Sequence, residues 1–97
     1  MKVRTGVVTT ANGSRYLQQL CKHWNHKFAV EFCTKSGKIS LQIGEVDLLA
    51  AAESLTVTLR TYAEKDIDAI QNVVEKHLNR FAFREAPLPF TWIDKTA

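Results

Sequence analysis

"SLTVTLRTYAEKDIDAIQNVVEKHLNRF", residues 54–81, changes its period once, and that change decides the fold. Up to Arg60, the apolar Leu55, Val57 and Leu59 alternate with Thr56, Thr58 and Arg60. A period of two belongs to a strand with one buried face, and threonine and valine suit it. From Ile67 onward, Ile70, Val73, Val74, Leu78 and Phe81 recur at spacings of three and four, which makes one apolar stripe on a helix. Thr61 with Glu64 three residues later reads as a capping box. Acids lie early (Glu64, Asp66, Asp68) and cations late (Lys76, Arg80, Arg84), as the helix dipole favours. Pro87 closes the helix, because the residue before a proline avoids the helical region. A strand and a helix with one apolar face each demand a shared α+β core.

Working upstream, "EVDLLAA" (45–51) is the weakest strand, since its alanines suit a helix nearly as well. "KISLQIG" (38–44) points Ile39, Leu41 and Ile43 inward before Gly44 turns the chain, and "KSGK" (35–38) is a turn. "KFAVEFCT" (27–34) sets Phe28, Val30 and Phe32 against Ala29, Glu31 and Cys33. A first helix spans about 12–25, with Asn12 as its N-cap and Leu17, Leu20, Cys21 and Trp24 as its stripe. "KVRTGVVT" (2–9) alternates Val3, Thr5 and Val7 against Lys2, Arg4 and Gly6, a half-buried strand. Downstream, "PLPFTWID" (87–94) is a short extended tail, an edge at best because of Pro89. On a continued helix Phe83 would point into water, so the tail bearing Phe90 and Trp92 is expected to fold back over it. The expected order is β-α-β-β-β-β-α, with or without a short terminal strand. It forms a single domain over 1–97: a mainly antiparallel sheet with two helices on one face.

The composition fits that globule, with 97 residues, 45% hydrophobic and 24% charged. No apolar run approaches the roughly 20 residues that span a bilayer, so no membrane association is expected. The start, MKVRTGVVTT, has no apolar signal core, which points to the cytoplasm and to free thiols at Cys21 and Cys33. Residues 1–40 carry seven cations against Glu31 alone, and residues 41–75 carry seven acids against Arg60 and Lys65. Such asymmetry fits an anionic partner or two halves of one domain attracting each other. The open sheet face would carry Arg4, Glu31, Cys33, Ser40, Gln42, Asp47, Thr56, Thr58 and Arg60. With no aromatic wedge and no basic stripe, that face argues against nucleic acid. No glycine-rich phosphate loop, G-x-S-x-G or zincin pattern occurs, so no cofactor is expected.

"RYLQQLCKHWNHK" (15–27) crowds a cysteine, two histidines and a tryptophan together. At about 100° per residue, Cys21 falls in the buried stripe and His26 roughly opposite Leu17, so the two cannot share an ion. No metal site is expected there. On the second helix, His77 lies inside the apolar arc, and Arg80 and Arg84 continue its flank. The plain reading is a core-edge histidine bonded to a backbone carbonyl, with the arginines extended over apolar surface or paired with Glu31 or Asp94. The functional reading is an anion pocket of His77, Arg80 and Arg84, with His23 and Tyr16 supplied by the first helix. Catalysis by His77 lacks a nucleophile or carboxylate beside it.

At "RYLQQLCKHWNHKF" (15–28), "VEF" (30–32), "VVEKHLNRFAFRE" (73–85) and the closing "TW" (91–92), the chain resembles a bacterial family known as domain of unknown function 2218. The resemblance implies short stand-alone cytoplasmic proteins and brings no catalytic residue with it. It also implies an association of some relatives with siderophore-interacting, ferric-reductase-like proteins. Cys33 stands where, by the resemblance, other members often carry an acidic residue after "VEF". The element order is similar to that of the TATA-binding-protein-like fold, a likeness that carries no function. These readings favour a small non-enzymatic module binding an anionic small molecule or metallophore. The alternative is a protein–protein module, as a homodimer through the open sheet face or an edge strand, or as the partner of a larger enzyme.

Overall fold

The computed structural model describes residues 2–96, and of Glu64, Lys65 and Thr96 the backbone only. The elements run β1 (Lys2–Thr9), α1 (Gly13–Trp24), β2 (Ala29–Phe32), β3 (Ser36–Leu41), β4 (Gly44–Ala50), β5 (Ser54–Thr61), α2 (Glu64–Phe81) and β6 (Thr91–Thr96). The six strands form one sheet in the order β2-β3-β4-β5-β1-β6, and every neighbouring pair is antiparallel. The α+β class and the order of the first seven elements are those expected from sequence, and the tail forms the terminal strand β6 that the sequence left open.

Burial explains the layering. Leu55, Val57 and Leu59 of β5 are fully buried beneath Leu17, Leu20 and Cys21 of α1 and Ile67, Val74 and Leu78 of α2, all in one apolar cluster. Each such side chain contributes about 1.5–3 kcal/mol when removed from water. Gly37 lets α1 approach β3, because a Cβ there would stand 2.7 Å from Cys21 Sγ. The chain must cross the sheet from β1 to β2, and α1 does so over β2, β3 and β4. α2 covers β5 and β1. The helices therefore lie side by side and antiparallel, and the opposite sheet face stays open.

Several expectations need correction. Residues 36–38 belong to β3 and not to a turn, and Ile43 lies in the β3–β4 turn and is not inward. On β1 the phase is reversed: Gly6 and Val8 are buried and Val7 is exposed. Arg4 therefore lies on the helix side and not on the open face. Its guanidinium donates to Asp94 of β6, to Asp68 Oδ1 of α2 at 2.6 Å and to Gln71 Oε1 at 2.7 Å. Asp94 thus holds Arg4 rather than Arg80 or Arg84, and Arg4 holds the Asp94 carboxyl below its ordinary range.

At the first helix, Asn12 makes no side-chain cap. Its amide donates instead to Glu85 Oε2 at 3.1 Å. At the second, Thr61 is the buried last residue of β5, its hydroxyl donates to the Ala63 carbonyl, and Ala63 occupies the N-cap position. The side chain of Glu64 lies outside the described residues.

Finally, α2 stops at Phe81 and leaves Phe83 73% exposed. The tail does not cover it: Phe90 and Trp92 stack on each other at 5.3 Å, and Trp92 lies over Gly6. Ala82 is buried and Asn79 Oδ1 accepts the Leu88 amide at 2.8 Å, so the chain turns back rather than continuing the helix. The Ala86–Pro87 peptide in this turn is cis.

Candidate functional site

The two ends of the helix pair have different chemistry. At one end, α1 begins where α2 has just finished. Tyr16 Oη, Thr10 Oγ1 and Asn12 Nδ2 all donate to the Glu85 carboxylate. Tyr16, followed by Asn12, holds the Glu85 carboxyl below the ordinary glutamate value, while burial and then Glu85 itself push the Tyr16 phenol up. Three donors satisfy one carboxylate and pin the 82–88 turn to the start of α1. That end is a latch.

At the other end, α1 runs out at Trp24, and the hairpin joining β3 to β4 rises beside it. Between them and α2 lies a groove of about 640 Å³. Trp24, Phe28 and Leu41 line it from the end of α1 and the hairpin, and Ala69, Ile70 and Val73 line it from α2. Its polar lining residues are His23, His26 and Lys27 at the end of α1, His77 of α2 and Gln42 of the hairpin, with Ile43 beside Gln42. Val73 is 44% and Ile43 41% exposed, so the groove presents apolar surface to solvent. Its residues are local consequences of helix spacing: Ala69, Ile70, Val73 and His77 fall on one stripe of α2.

Rings follow one another from the groove towards the end of α2. Phe28 meets Trp24 edge-on at 6.0 Å, and Trp24 meets His77 at 5.3 Å. His77 meets His23 at 5.1 Å, and His23 meets Phe81 at 6.0 Å. His77 Nδ1 lies 2.8 Å from the Val73 carbonyl oxygen and must donate to it. That is the backbone bond expected of a core-edge histidine.

Of the candidate site residues, His77 and His23 come together in this groove. Tyr16 belongs to the Glu85 latch at the far end. Arg80 is exposed on the last turn of α2, and Arg84 lies beyond the helix with its guanidinium 5.7 Å over the Phe83 ring. Neither arginine lines the groove. His26 and Lys27 do, and sequence reasoning set them aside, although their place at the C-terminal end of α1 was a usable signal.

Both thiols are free. Cys21 is buried and pushed up to about 11 by that burial, whereas Cys33 is exposed and lowered by Ser36 and the neighbouring backbone. Among the described residues no group of three His, Cys, Asp or Glu side chains is placed to hold a metal, and no helix is long and apolar enough to cross a membrane.

A family model described as an uncharacterized protein conserved in bacteria, domain of unknown function 2218, matches residues 5–93. The chain is similar to PA4090 from Pseudomonas aeruginosa, known from an NMR structure, with 35% identity over 96% of each chain and a TM-score of 0.82. Among curated proteins none matches.

Proposed function

The chain belongs to this bacterial family of uncharacterised proteins, and from its own geometry we propose that it is a small-molecule binding module. The groove at the end of the helix pair takes an anionic ligand with an aromatic or apolar body. The observation that carries this is the groove itself: about 640 Å³, lined mostly by apolar and aromatic residues with a few polar ones among them. Small-molecule sites have that size and that mainly apolar lining with a small number of polar groups. The ligand body lies against Trp24, Phe28 and Ile70, where aromatic surface favours a ring. Its anionic head meets Lys27 and the imidazoles at the end of α1, where the helix leaves no competing acid among the groove-lining residues. A metallophore with an aromatic acid group falls within this class, as the resemblance to siderophore-associated relatives implies.

Naphthalene-2-carboxylate and its neutral counterpart 2-naphthalenemethanol make the test, titrated calorimetrically into the full chain in chelator-containing buffer. The carboxylate is expected to bind at least tenfold more tightly, a difference of about 1.4 kcal/mol. Val73→Trp, which fills the groove from an exposed position, is expected to remove binding of both. Equal affinity for acid and alcohol sinks the anion reading, and unchanged binding in Val73→Trp sinks the groove.

A second reading has one observation in its favour. Val7, Leu49 and Ile93 are exposed on the open sheet face, which is where two copies would meet.

A further inference from the structure

The paired imidazoles support a separate inference, which shares the groove with the anion reading but does not depend on it. His23 and His77 arrive from different helices, with ring centroids 5.1 Å apart and planes tilted by 46°. Two imidazoles bound to one tetrahedral ion at about 2.1 Å hold their centroids roughly 5 Å apart. The ring spacing is therefore the one that two imidazoles on a shared ion would have. His77 is also prepared for the task. A carbonyl oxygen only accepts, so the Val73 bond places the proton on Nδ1 and leaves the lone pair on Nε2. Metal-bound histidines characteristically have the other nitrogen engaged in this way, which fixes tautomer and orientation and raises ligand basicity. Trp24, edge-on at 5.3 Å, backs the His77 ring. Among the described residues, the His23 ring meets only the rings of His77 and Phe81, and no hydrogen bond there competes for its nitrogens.

We propose that His23 and His77 together bind a divalent transition-metal ion of the zinc, nickel or copper class. Neutral imidazole nitrogen selects these ions over magnesium or calcium, which require oxygen donors. The protein supplies two donors, and the remaining positions belong to water or to donor atoms of a molecule in the groove. His26 lines the same groove but is not part of the pair.

Cobalt(II) alone, titrated into the metal-stripped full chain, reads the site through its visible absorption, with zinc as the competitor. Saturable binding of one equivalent, displaced by zinc, is expected. His23→Gln and His77→Gln are each expected to weaken it at least tenfold, whereas His26→Gln changes it less than twofold. Circular dichroism shows that each variant is folded before it is titrated. Lack of saturable binding, or undiminished binding in both His23→Gln and His77→Gln, overturns the proposal. Loss in His26→Gln with retention in His77→Gln also overturns it, by placing the ion on the end of α1 alone. Naphthalene-2-carboxylate is measured with chelator present, so either reading can fail without the other.

Discussion

Glu85 is the residue on which the chain's two distant parts depend. It follows α2 in sequence, yet its carboxylate accepts from Thr10, Asn12 and Tyr16 at the start of α1. Its carboxyl is depressed by these donors, so the native state holds the anion more firmly than the unfolded chain does. The sign follows from linkage. The contribution is complete above the ordinary glutamate value of 4.5 and is lost as pH falls through the lower folded value. Glu85→Gln is expected to cost about 1 kcal/mol at neutral pH, discounted for the exposure of the carboxylate, or roughly 4–8 °C in Tm. Thermal melts at pH 7 and pH 3 are the check, with the difference between wild type and variant expected to shrink in acid. The latch was not legible in the sequence. No periodicity says that residue 85 meets residues 10, 12 and 16, because that depends on how the two helices pack. The two cysteines make a second residue-scale contrast. Iodoacetamide at neutral pH is expected to label Cys33 within the native state and to reach Cys21 only on unfolding, as read by intact mass. Labelling of Cys21 at a comparable rate would mean that α1 opens readily over β3.

At the scale of elements, β5 and α2 were legible because one solvent boundary fixes every side chain on them. Strand β1 was not. Its helix side faces polar residues of α2 at one end and the ring of Trp92 in the middle, so its apolar residues fall on the wrong face for a simple alternation. Arg4 is tolerated there because Asp94, Asp68 and Gln71 satisfy its donors, and they come from elements more than sixty residues away. Gly6 fits for a related reason. A Cβ at that position would stand 2.5 Å from the Trp92 ring, so β6 can pair with β1 only over a glycine. Gly6→Ala is expected to destabilise by about 1–3 kcal/mol, the usual cost of overpacking. Adding Trp92→Ala should recover part of that loss, and urea denaturation of the four species in a double-mutant cycle measures the coupling. Additive losses would mean that Gly6 matters for its backbone rather than for the space beneath Trp92. His23 and His77 were legible as a pair because both flank apolar stripes on helices that must share one core. Arg84 was placed wrongly for an equally local reason: the helix ends at Phe81, so its angular position no longer applies.

The whole molecule is a single sheet covered on one side, and its open face sets the last question. Val7 is 43%, Leu49 57% and Ile93 59% exposed there, yet they sit among Thr5, Thr56 and Thr58 and the Arg60–Asp47 ion pair. Such a mixed surface is compatible with solvent, and it is also compatible with a polar-rimmed interface between copies. The two cases separate at Leu49, which lies opposite Thr56 in the β4–β5 register and has no core role. Leu49→Lys is expected to change the stability of the folded chain by no more than about 0.5 kcal/mol, as exposed substitutions usually do. If the face is solvated, sedimentation velocity finds wild type and Leu49→Lys as the same monomer across a hundredfold range of concentration. If two copies pair through it, the wild type sediments as a dimer and the variant does not, because pairing around a two-fold axis buries two lysines without partners. The groove lies on the opposite side of the sheet, so naphthalene-2-carboxylate binding is expected to be equal in both proteins whichever result is obtained. An affinity that fell together with the dimer would instead tie the groove to assembly through the thin sheet between them.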